Sequence, residues 1–65
     1  LTKYGIWKTR YTQNVALVFE DWVRQNGVPV LFSTEYAALE YKHGEDMKNT
    51  DEFTEFEVRE TEVST

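Results

Sequence analysis

The chain has no cysteine, and that absence alone excludes disulfides and thiolate metal sites as braces for its 65 residues. Proline is nearly as scarce: Pro29 stands alone, with Gly5, Gly27 and Gly44 the only glycines. Backbone exceptions are therefore concentrated at a few positions. No stretch approaches the ~18 to 20 apolar residues needed to cross a bilayer, and no basic-then-apolar leader opens the chain, so no membrane partner is expected. The chain begins at Leu1 rather than Met, as a trimmed or excised piece would. The lack of cysteine and of a leader points to the cytoplasm.

The parts of an active site are also scarce. His43 is the only histidine and has no cysteine to join it as a metal ligand; near a helix end its ordinary role is to face the dipole or solvent. Asp46, Asp51 and Glu52 lack the 1-3-5-12 spacing of a calcium loop, and no glycine sits at its turn. Ser33 and Ser64 have no base–orienter pair, and three scattered glycines make no phosphate loop. A chain of this size buries only about 60% of its unfolded surface, leaving little wall for a catalytic cleft. We expect a single small domain over residues 1–65, fraying over 61–65, that is not an enzyme and holds no cofactor or metal.

What the chain does have is aromatic weight and acid. Aromatics make up 15% of it, the usual remedy for a thin core. Acidic residues number 12 against 7 basic, a net charge of −5 that is unevenly spread: +2 over residues 1–32, −2 over 33–49, and −5 from Thr50 onward. Such a balance repels nucleic acid and anionic membranes as a whole and suits a partner with a basic surface.

Local pattern gives the elements. KYGIWKTRYT is β-branched and aromatic and reads as a strand, with Tyr4, Ile6, Lys8 and Arg10 on one side and Trp7, Thr9 and Tyr11 on the other. Residues 12–25 are ambiguous. Val15, Val18, Phe19, Trp22 and Val23 form a helical stripe, while their side-chain types favour a pleated sheet. Asn26-Gly27 tips the balance to a two-residue type I′ hairpin, pairing Gln25 with Val28, Arg24 with Pro29, Val23 with Val30, Trp22 with Leu31 and Asp21 with Phe32. In that register the nitrogen of Pro29 points away from the second strand, so VPVLF is an edge strand. Ser33 or Thr34 caps a helix running to His43 or Lys48, with Ala37, Ala38 and Tyr41 on one face, and Gly44 able to end it. EDMKNTDE reads as a loop. Phe53 to Glu62 is the last strand, Phe56 and Val58 inward, Glu55, Glu57 and Arg59 outward.

The predicted fold is α+β: a small single sheet of three to four strands with one helix packed on one face, β-β-β-α-β in spatial order 3-2-1-4. The last strand returns beside the first through a right-handed crossover. The alternative is β-α-β-α-β, with residues 12–25 helical. Two strands, a glycine turn, a third strand and a Phe-x-Thr step into an alanine-bearing helix resemble the small sheet-plus-helix DNA-binding arms of phage recombinases. The residues concerned are Trp22, Asn26, Gly27, Phe32, Thr34 and Ala38, over about half the chain. Those arms are basic, and this chain is acidic.

Two functional readings follow. The first is a small acidic, non-catalytic interaction module, an inhibitor or accessory factor of phage or mobile-element type. It would meet a basic protein surface through Asp51, Glu52, Glu55, Glu57, Glu60 and Glu62, as a monomer or weak dimer. The second is a nucleic-acid-binding module using an aromatic-basic sheet face of Trp7, Lys8, Arg10, Tyr11, Trp22 and Arg24.

Overall fold

The aromatic, β-branched start of the chain forms the strand that organises the rest. In the computed structural model, which describes residues 1–14, 16–50 and 52–63, Thr2–Tyr11 is the central strand β1. Strand β6, Thr54–Glu62, runs antiparallel along one edge of β1 for nearly its whole length, from Thr2 opposite Glu62 to Arg10 opposite Thr54. The other edge of β1 is shared: β2, Leu17–Trp22, pairs its C-terminal half, and β5, Leu31–Phe32, pairs Tyr4 and Gly5. Between β2 and β5 stands a separate two-stranded hairpin of β3, Arg24–Gln25, and β4, Val28–Pro29. The α+β class holds: one helix with a small antiparallel sheet.

The alternative order falls, and the strand order and hairpin register are corrected. Residues 17–22 and 24–25 are strand, so the β-α-β-α-β alternative falls; the stripe residue Val15 lies outside the described residues. The order is not 3-2-1-4. Only the tip of VPVLF pairs with the preceding strand, while Leu31 and Phe32 pair with Gly5 and Tyr4 of β1. Trp22 faces Trp7, and Asp21 faces Lys8, instead of Leu31 and Phe32. The reason is that Val23 donates its N–H to the Ile6 carbonyl (2.8 Å) and accepts from the Val30 N–H (3.0 Å). It thereby serves both β1 and the hairpin base, and the chain leaves and rejoins one edge at that point. The last strand does lie beside β1. Because β5 and β6 are each antiparallel to β1, they are parallel to each other, joined across it by the helix.

The hairpin itself follows its turn chemistry. Asn26 and Gly27 both take positive φ, 55° and 80°, as a type I′ turn requires, and the Arg24–Pro29 and Gln25–Val28 pairs are present.

Helix α1, Glu35–Lys48, is capped by Thr34, whose Oγ1 accepts from the Ala37 N–H at 3.2 Å. It runs through Gly44 and Met47 to Lys48, the longer of the two expected ends, so the loop expected from Glu45 does not occur there. Asn49 ends it, its backbone N–H donating to Glu45 and Asp46 carbonyls and its side-chain Nδ2 to the Thr54 carbonyl (3.0 Å). That last bond ties the helix end to the start of β6. Ile6 and Ala38 are fully buried between sheet and helix, and Phe32 meets Tyr41 at 5.4 Å between ring centroids. Thr61 and Glu62 belong to β6, and Val63 donates to the Leu1 carbonyl; Ser64 and Thr65 lie outside the described residues.

Candidate functional site

Strand alternation assigns every sheet residue to one of two faces. Ile6, Lys8 and Arg10 lie on the face that α1 covers; Gly5, Trp7, Thr9 and Tyr11 lie on the open one. Registers then build the open face as rows across three strands. Glu20, Thr9 and Glu55 form one row; Trp22, Trp7 and Glu57 the next; Leu31, Gly5 and Arg59 the third.

The centre of this face is aromatic. Trp7 and Trp22 meet edge to face, 5.0 Å between centroids, and both are half-buried. The Arg59 guanidinium sits 4.6 Å from the Trp7 ring centroid, and its NH2 group lies 3.0 Å from Glu57 Oε2. Trp7 Nε1 points to Glu20 Oε2 at 3.4 Å. The rim is acidic: Glu20, Glu55 and Glu57 border a shallow depression also lined by Thr9, Tyr11 and Leu17.

At the neighbouring strand end, Asp21 accepts the Trp22 N–H at Oδ1 (2.7 Å) and the Arg24 Nε at Oδ2 (3.3 Å). The backbone bond first, then the guanidinium, hold its carboxyl below the usual value. Among the described residues no group of three His, Asp or Glu side chains is placed to hold a metal ion.

The sequence-predicted residues are divided by this geometry. Of the acidic set, Glu55 and Glu57 share the open face, whereas Glu60 and Glu62, opposite Tyr4 and Thr2, lie on the helix side. Glu62 is held there by Thr2 Oγ1 (2.7 Å) and the amino group of Leu1 (3.3 Å). Glu52 is exposed in the turn before β6, and Asp51 lies outside the described residues. Of the aromatic-basic set, Trp7, Tyr11 and Trp22 share the open face. Lys8 and Arg10 are across the sheet from them, in a depression with Glu45 and Lys48 of α1, and Arg24 is in the hairpin, bonded to Asp21 and the Gly27 carbonyl (3.2 Å).

Two members of the open face were not among the candidate residues. Arg59 was placed outward with Glu55 and Glu57 by alternation but not named as a contact. Glu20 needed the register of β1 against β2, which no local signal carries. Comparison with protein-family models, with curated proteins and with solved structures finds no match.

Proposed function

We propose that this chain is a non-catalytic interaction module that binds a protein with a basic surface. The observation that carries the reading is the row Glu20–Thr9–Glu55 beside Trp22–Trp7–Glu57: a half-buried aromatic pair rimmed by three carboxylates, on the face the helix leaves uncovered. Aromatic anchors inside a charged rim suit a protein interface, and carboxylates steer a basic partner toward it. Action as an inhibitor or accessory factor, of phage or mobile-element type and in the cytoplasm, belongs to the same proposal and rests on size and composition. No helix among the described residues is long and apolar enough to cross a membrane.

Base stacking fits this face less well. Lys8 and Arg10, which would contact phosphates, are on the other side of the sheet, and the Trp7 ring is already occupied by Trp22 and Arg59.

The test is affinity capture from the source cell with the native chain and with the double variant Glu55→Lys, Glu57→Lys, each at two salt concentrations. Loss of the captured protein in the variant is expected; unchanged capture at low salt overturns the reading. A parallel titration with single- and double-stranded oligonucleotides that gave salt-dependent binding would replace it with the nucleic-acid one.

A further inference from the structure

The two free edges of the sheet are unlike. On the β2 side the edge is short and interrupted: register shifts beside Tyr11, and the Trp22 N–H is already taken by Asp21. On the β6 side it is long and regular. The bonds from Tyr11 N–H to the Phe53 carbonyl (2.8 Å) and from Val63 N–H to the Leu1 carbonyl (2.9 Å) fix which residues of β6 face β1. They are the odd-numbered ones, as antiparallel pairing then requires throughout. The N–H and C=O groups of Phe56, Val58, Glu60 and Glu62 consequently point outward, along an edge that no strand covers among the described residues.

Along that edge, between β6 and α1, runs a groove of about 400 Å³ whose lining includes Tyr4, Leu39, Phe56 and Val58 together with Glu35, Glu57 and Glu60. Leu39 is 46% exposed there. Lys42, which also lines it, is bound to Asp46 at 2.7 Å.

We infer that β6 takes up an extended basic segment of a partner protein as an additional strand, with basic side chains on one face of that segment and apolar ones on the other. This rests on the proposed basic partner and specifies how it is bound. A strand laid beside β6 directs alternate side chains to the two faces of the sheet. Those on the open face meet Glu55 and Glu57. Those on the helix face enter the groove over Phe56, Val58 and Leu39. The open-face flank offers Glu55 and Glu57 and the helix-face flank offers Phe56 and Val58, which matches a strand alternating basic and apolar side chains. Main-chain bonds would supply affinity and the two flanks selectivity. A second copy of β6 laid parallel and in register is a poor occupant, because Glu55, Glu57, Glu60 and Glu62 would each face their own kind.

The probe is an eight-residue, end-blocked peptide alternating lysine and valine, with an analogue N-methylated at every backbone nitrogen that keeps the charges and loses the donors. Binding is followed by amide hydrogen exchange and titration. The peptide is expected to protect the amides of Phe56, Val58, Glu60 and Glu62, while the analogue binds about tenfold weaker or worse. Glu60→Pro, which removes an outward N–H and none of the β1 bonds, should weaken the peptide similarly while leaving near-ultraviolet circular dichroism unchanged. Equal binding of peptide and analogue without protection at those amides overturns strand addition but leaves the basic-partner reading, as does absent peptide binding when cellular capture still depends on Glu55 and Glu57. No peptide binding at low salt, together with capture indifferent to those two glutamates, overturns both.

Discussion

The indole of Trp22 lies so close over Gly5 that a β-carbon on residue 5 would stand 2.7 Å from its Cζ3 and 2.8 Å from its Cε3. Leu31 Cδ2 closes the same space at 3.2 Å. Glycine is required here for want of room. It lets one tryptophan lie down on the central strand and meet the other edge-on.

Gly5→Ala must therefore displace Trp22. Overpacking of this kind costs about 1–3 kcal/mol, and each kcal/mol moves the melting midpoint of so small a domain by about 4–8 °C. Thermal unfolding of the variant should show that loss, accompanied by a changed near-ultraviolet tryptophan signal. Adding Trp22→Leu should recover part of the effect, since the two residues share one contact; strictly additive losses would contradict the arrangement.

Gly44→Ala should have the opposite sign. Gly44 lies inside α1, and a methyl group added there would meet nothing within 4 Å. An alanine there removes backbone freedom from the unfolded chain without a clash, raising stability by about 0.5–1 kcal/mol in denaturant titration. A loss instead would mean that the helix does not continue through this position.

Acid should weaken the sheet end at Asp21. Its folded-state pKa is depressed, first by the Trp22 N–H and then by Arg24, so its contribution is present above the ordinary 3.8 and is lost as pH falls through the folded-state value. Carboxyl NMR titration should place the Asp21 midpoint below 3.8, and Asp21→Asn should remove that part of the acid dependence. A midpoint at or above 3.8 would contradict the bond pair.

Arg59→Gln tests the open face directly. It removes the cation over Trp7 and leaves Glu57 without its ion pair. Both contacts are partly exposed, so stability should change by less than about 1 kcal/mol. Binding of a basic partner should strengthen because the face becomes more negative; weakened binding would show that Arg59 itself contacts the partner.

Much of this architecture was legible where local chemistry decides it. Asn26-Gly27 dictated the turn because two successive residues must take positive φ, and Thr34 is the hydroxyl that best precedes the Ala37–Ala38 helix face. The division of Lys8 and Arg10 from Trp7 and Tyr11 follows from counting by two. So does the separation of Glu60 and Glu62 from Glu55 and Glu57, which grouping them by composition concealed. What local pattern could not show was competition for Val30–Phe32. As a continuous apolar run it suits the second arm of a hairpin, yet β1 offers Leu31 a place beside Gly5 and Phe32 one opposite Tyr4. Only a partner far back in the chain settles that choice. The helical stripe of Val18, Phe19, Trp22 and Val23 left an alternative open for the same reason, since it is the edge of β1 that takes up β2 through its backbone.

The Val23–Val30 hydrogen bond that closes the base of the β3–β4 hairpin makes that hairpin a detachable unit. The sheet edge leaves at Val23 and resumes with Leu31, so the register on β1 is set on either side of the hairpin and owes nothing to its length. Evolution or a protein engineer can lengthen, shorten or replace residues 24–29 as a cassette, and the aromatic rows beneath will keep their alignment.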